Sequence, residues 1–300
     1  MKSTTTAPYG DQALGAEAGW GPTILLCVAL ILAALVIVVA NPLAAGAAPS
    51  GTHVRAARAG GRHAPAVSEV TAPIAVSPNW SGYVSYAPSV NDGSFNQVSA
   101  QWVEPVVSCP RQDAWTLFWV GFDGWPTTDG SVEQGGTSAR CLGGVAQYSA
   151  FYEMYPRQAV TDTFPIHALD TIEASVSFSN ATQVFTITVT DLTTGQSTTE
   201  TPTCQTACPR TSAEWIAESP SHFGTRRWFP LADYGTVKFT SATAMNAQGA
   251  SGPISFSPQW SASGIERVAG STKAEAKVSA LLEAGSTSSF SDTWKARHRR

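Results

Sequence analysis

Four short runs in this chain carry side chains suited to acid–base chemistry. Glu214 sits in Ala213-Glu214-Trp215-Ile216-Ala217-Glu218, an alternating run that turns its carboxylates to one side. Beside Trp215 and Ile216 such a carboxylate falls within a packed sheet, where it needs hydrogen-bond partners or a task. Gln134 lies in Glu133-Gln134-Gly135-Gly136, a neutral amide next to glycines where backbone or ligand can come close. Trp119, Gly121 and Asp123 alternate onto one face of a strand whose other face carries Val120 and Phe122. Glu153 shares a strand face with Phe151 and Tyr155, so that if buried it must be hydrogen-bonded. Glu133 and Glu218 read as ordinary surface charges, and Asp123 also suits a cap on its Asp-Gly turn.

Other chemistries lack their residues. The chain has no His-Glu-x-x-His, no Gly-x-Ser-x-Gly and no phosphate-cradling glycine loop. His167 and His222 have no local nucleophile beside them, which speaks against a Ser-His-Asp triad. A Cys-x3-Cys spacing with so few histidines is a poor zinc site, so neither metal nor organic cofactor is expected. Carboxylates, an amide and aromatic side chains remain.

The elements that must position them are strands. Phe118–Thr137 reads as strand, tight turn and strand, with Asp123-Gly124 and Asp129-Gly130 as turn dipeptides. Alternating runs recur at Val98–Val103, Val145–Tyr155, Ile172–Phe178, Val184–Val189 and Gly235–Thr240. Strands so spaced, with no long helical period, predict an all-β fold: an antiparallel β-sandwich of two packed sheets, jelly-roll or concanavalin-like. Ala274–Ala284 is rich in helix formers and predicts one short helix. Phe290–Trp294 predicts a last strand.

Charge and cysteine usage frame this domain. Only 13% of residues are charged. Asn79–Trp294 holds 19 acidic and 10 basic residues, a net of −9, which argues against nucleic acid as a partner. Cys109, Cys141, Cys204 and Cys208 form an even set suited to an oxidising compartment. Of three pairings, the favoured one joins Cys109 to Cys141 around the central hairpin and Cys204 to Cys208 across a short loop. Ile24–Ala40 is an unbroken apolar run of 17 residues followed by the cleavage-like Ala45-Gly46-Ala47. Residues 1–48 therefore read as a signal peptide or N-terminal membrane anchor, although Arg55, Arg58 and Arg62 follow the run rather than precede it. Residues 49–76 read as a basic propeptide or linker, 77–294 as the folded domain and 295–300 as a basic tail. The expected product is extracellular, monomeric and in contact with membrane only through the apolar run.

Taken together, Trp119-Val120-Gly121-Phe122-Asp123-Gly124, the Gln-Gly of EQGG, YEMYP at Tyr152–Pro156 and AEWIAE resemble the glutamic peptidases (eqolisins). The likeness covers Asn79 to Trp294, beginning at Asn79-Trp80-Ser81-Gly82. It implies a β-sandwich acid endopeptidase acting on proteins or peptides, with Glu214 and Gln134 as catalytic dyad. It also implies that Trp119, Asp123 and Glu153 line the cleft. Glutamine suits that post, because its N–H donors remain available to an oxyanion in acid where a second carboxylate would share a proton. EQGG departs from the Gln-Thr-Gly of fungal relatives, which bears on loop shape more than on the amide. Two other readings use the same residues: a jelly-roll glycoside hydrolase with Glu153 and Glu214 as its carboxyl pair, and a carbohydrate-binding sandwich using surface tryptophans such as Trp125.

Overall fold

The computed structural model describes residues 66–296 apart from 88–94, 126–129, 205, 223–224, 226 and 271–272. The leader or anchor expected over 1–48, most of the basic segment that follows and the end of the tail lie outside the described residues.

Among the described residues there are eighteen strands and no helix. The first four are β1 (Val67–Val70), β2 (Ile74–Ser77), β3 (Trp80–Tyr86) and β4 (Phe95–Val103). The central group is β5 (Ala114–Phe122), β6 (Val132–Leu142), β7 (Val145–Tyr155) and β8 (Val160–Pro165). Then come β9 (Thr171–Ser179), β10 (Val184–Asp191), β11 (Gln196–Glu200), β12 (Ser212–Glu218) and β13 (Thr236–Asn246). The last five are β14 (Ser251–Gly252), β15 (Ser261–Arg267), β16 (Ala276–Val278), β17 (Leu281–Ala284) and β18 (Thr287–Trp294).

Pairing arranges these strands in two layers. One runs β8-β7-β6-β5-β12-β3-β15-β2, the other β11-β10-β9-β4-β13-β18-β17-β1, with β14 paired to β13 and β16 to both β15 and β18. Every pairing is antiparallel except β2 with β15. The expected sandwich is what forms. β1 and all of β2 but Ser77 belong to the segment read as propeptide or linker, yet they extend the sheet edges against β17 and β15.

β9 and β10 bury every second residue, as half-covered strands do. Phe118, Val120 and Phe122 of β5 meet Trp102, Ile172, Ile187 and Val189 of the other layer in the main core. β5 and β12 are buried on both faces, since a second cluster of Trp80, Val84, Leu117, Trp119, Val132, Phe151, Ile216 and Ile265 covers their far side. That far side carries the site.

The short helix expected over Ala274–Ala284 is not there: β16 and β17 occupy the segment. Ala276 and Leu281 are fully buried and the backbone pairs with β15, β18 and β1, a gain that outweighs the few tenths of a kcal/mol by which local helix propensity differs. Phe290–Trp294 does form the end of the last strand. Cys109–Cys141 and Cys204–Cys208 are both disulfide-bonded. Replacing Cys109 and Cys141 with Ser should destabilise the domain by about 3–4 kcal/mol on the chain-entropy estimate, read as a lower denaturant midpoint with a slope that is, if anything, steeper because the unfolded chain is less constrained.

Candidate active site

The site is built by register. Glu214 of β12 lies opposite Gly121 of β5, Gly121 opposite Gln134 of β6, and Gln134 opposite Glu153 of β7. Paired residues point to the same face, so one transverse row reads Glu214, Gly121, Gln134, Glu153. With Gly121 lacking a side chain, Glu214 and Gln134 face each other across a gap two strand spacings wide, roughly 10 Å between their Cα atoms. A Cβ on Gly121 would come within 2.7 Å of the Glu133 carbonyl oxygen, 3.0 Å of the Gln134 Cβ and 3.1 Å of the Trp119 ring. Nothing larger than glycine fits there.

Gln134 donates from Nε2 to a Glu153 carboxyl oxygen at 2.7 Å, and its own Oε1 is buried without a hydrogen-bond partner. Burial pushes Glu153 up to about 8, helped by the negative charge of Glu218 and opposed by the Gln134 bond. Glu214 is fully buried, and Gln134 is 4% exposed.

One row along, Ile216, Trp119, Gly136 and Phe151 are aligned across the same four strands. Trp119 packs edge-on against Trp80 with ring centroids 5.0 Å apart and donates its indole N–H to Glu218 at 2.9 Å. Asn79 donates to the other Glu218 oxygen at 3.1 Å. Burial raises Glu218 to about 6 despite these donors. Glu218 is thus a buried member of the site and not the surface charge expected of it. The signal was present, since residues i and i+4 of a strand share a face with Glu214.

Glu133 is also buried rather than exposed. It points away from the row, as its neighbour Gln134 points into it, and the charge of Arg210 acts on it. Asp123 does not extend the row. β5 ends at Phe122, and Asp123 adopts a left-handed φ of 67°. Its carboxylate accepts the backbone N–H groups of Arg210 and Thr211 at 2.7 and 2.8 Å, tying the end of β5 to the start of β12. Trp125 is half-buried against the second cluster. Among the described residues no group of three or more His, Cys, Asp or Glu is placed to hold a metal ion.

The class this fold and site describe is a two-layer antiparallel sandwich with carboxyl and amide groups in one row across a sheet. Residues 78–281 match the peptidase A4 family, and the chain belongs to that family. A 138-residue stretch is 34% identical to aspergillopepsin-2 of Aspergillus niger, covering 45% of this chain and 48% of that protein. The chain thus spans about half the length of the curated relative it matches. Aspergilloglutamic peptidase from Aspergillus niger is similar in structure at 27% identity and a TM-score of 0.51, over 61% of this chain and 99% of that one. Scytalido-glutamic peptidase, solved with a transition state analog inhibitor, shares the fold at 23% identity and a TM-score of 0.60, over 73% of this chain and 98% of that one.

Proposed function

We propose that this protein is an exported acid endopeptidase that hydrolyses peptide bonds with Glu214 and Gln134 as its dyad. The row of Glu214, Gly121, Gln134 and Glu153 carries the reading. Ionised Glu214 takes a proton from water as the water oxygen attacks the scissile carbonyl carbon. Gln134 donates an N–H to the oxyanion of the tetrahedral intermediate. Protonated Glu214 then delivers its proton to the leaving nitrogen as the C–N bond breaks. The two disulfides, which persist in oxidising compartments, support export.

Glu153 sets an alkaline limit to this chemistry. While it is ionised, it holds the Gln134 amide by an N–H and leaves Oε1 without a partner. Below about 8 the carboxyl is protonated and can donate its O–H to Oε1 of a rotated amide, freeing both Gln134 N–H groups for the gap above Gly121. The neutral mimic Glu153→Gln is therefore expected to keep activity within a factor of about 3, whereas Glu153→Ala loses about 10-fold or more by freeing the amide orientation. Digestion of a denatured protein between pH 2 and 8, beside a polysaccharide, tests the whole reading. Sugar release without proteolysis would point instead to a glycoside hydrolase using the two carboxyls, and neither product to a binding sandwich.

A further inference from the structure

Arg140 is a cation that no part of the mechanism uses. On β6 it follows Gln134, Gly136 and Ser138 at steps of two, so it lies on the same face as the dyad row. Six residues of strand set it about 20 Å from Gln134. Its guanidinium carbon stands 4.8 Å from the centroid of the Trp115 ring and 5.9 Å from that of Phe229. Both rings are held in place. Trp115 donates its indole N–H to Ser138 at 2.7 Å and meets Phe229 edge-on at 5.1 Å, while His222 stacks on Phe229 at 3.8 Å. Backbone bonds from Trp115 to Pro230 and from Phe229 to Pro220 fix the loop carrying Phe229.

No Asp or Glu of the described residues lies within ion-pair distance of this guanidinium, and its Nε is buried without a hydrogen-bond partner. Both rings pack to one side of the guanidinium, and a guanidinium packed against aromatic rings in this way keeps its open N–H edge directed and ready for a planar, two-oxygen acceptor. We propose that Arg140 forms a remote subsite for a carboxylate of the bound peptide, either an acidic side chain or the C-terminus. At about 3.3 Å per extended residue, that carboxylate lies five to seven residues from the bond at the dyad. The assignment rests on the peptidase reading for the identity of the ligand, and its test reads binding rather than cleavage.

The probe is a set of fluorescein-labelled neutral peptides in which one Glu is walked along the sequence. Each is paired with a Gln control and made with a free or an amidated C-terminus. Anisotropy is measured on the Glu214→Gln protein at pH 5, where a peptide carboxylate is charged. One Glu position, or the free C-terminus alone, should bind five- to tenfold tighter than its control, identifying which carboxylate is taken. That preference should shrink in salt, fall to about onefold in Arg140→Gln and survive in part in Arg140→Lys. Far-UV circular dichroism and thermal melting check that the variants fold. If Arg140→Gln does not fold, an Arg140→Lys protein that shows no preference change and no salt sensitivity overturns the proposal. Peptide binding without charge preference, or an unchanged preference in Arg140→Gln, overturns this assignment alone. Absence of any peptide binding overturns the peptidase reading with it.

Discussion

Glu214→Gln is expected to lower peptide hydrolysis at least ~100-fold, and Gln134→Ala by a similar factor, the scale of losing a general base or one oxyanion donor. The two groups act in the transition state, so kcat and kcat/KM should fall together while KM changes little. Glu214→Gln keeps the shape of a side chain that is fully buried between Gly121 and Val84, so the protein should still fold and bind peptide. Combined in one protein, the two changes should cost much less than the product of the single losses, because both act on one intermediate. A folded Glu214→Gln protein with near-normal turnover would remove Glu214 from the mechanism. Loss in Glu214→Gln with normal turnover in Gln134→Ala would leave the base in place and move the oxyanion donor elsewhere.

Stability should be greatest in acid. Burial raises five carboxyls: Glu104 to about 7, Glu153 to about 8, Glu218 to about 6, Asp292 to about 7, and Glu283 above its ordinary value. Each is hydrogen-bonded, Glu104 to Thr137 and Trp102, and Asp292 to Tyr234. In the unfolded chain these groups titrate near the ordinary carboxylate value of about 4, so between there and 8 the folded protein binds more protons than the unfolded one. Their contribution is fully present below about 4 and is lost as pH rises through the folded values, on the order of several kcal/mol in sum. Asp191 works in the opposite sense: burial opposes it, but hydrogen bonds from Thr194 and Thr193 lower it, so its contribution is lost in strong acid. Thermal unfolding should show a Tm at pH 4 about 10 °C or more above that at pH 8. Glu104→Gln, remote from the dyad row, should flatten part of that slope. A Tm that rises from pH 4 to pH 8 would contradict the raised carboxyls, neutral Glu153 among them.

Much of this protein is local and therefore legible in the chain itself. A strand's period of two placed Trp119 and Gly121 on one face and Val120 and Phe122 on the other, and runs of this kind without helical period meant a sandwich. Four motifs in order pointed to Glu214 and Gln134, and the even cysteine set pointed to the two bonds that form. Register between distant strands is different, since it depends on which edges meet and on how side chains pack across them. Only the folded sheet aligned Glu214, Gly121, Gln134 and Glu153 in one row. The same long-range packing buried Glu218 against Trp119 and Asn79, bound Asp123 to the N–H groups of Arg210 and Thr211, and set Arg140 beside two aromatic rings. It also made strands of Ala276–Val278 and Leu281–Ala284, because sheet pairing and burial of Ala276 and Leu281 exceed the weak helical preference of the segment.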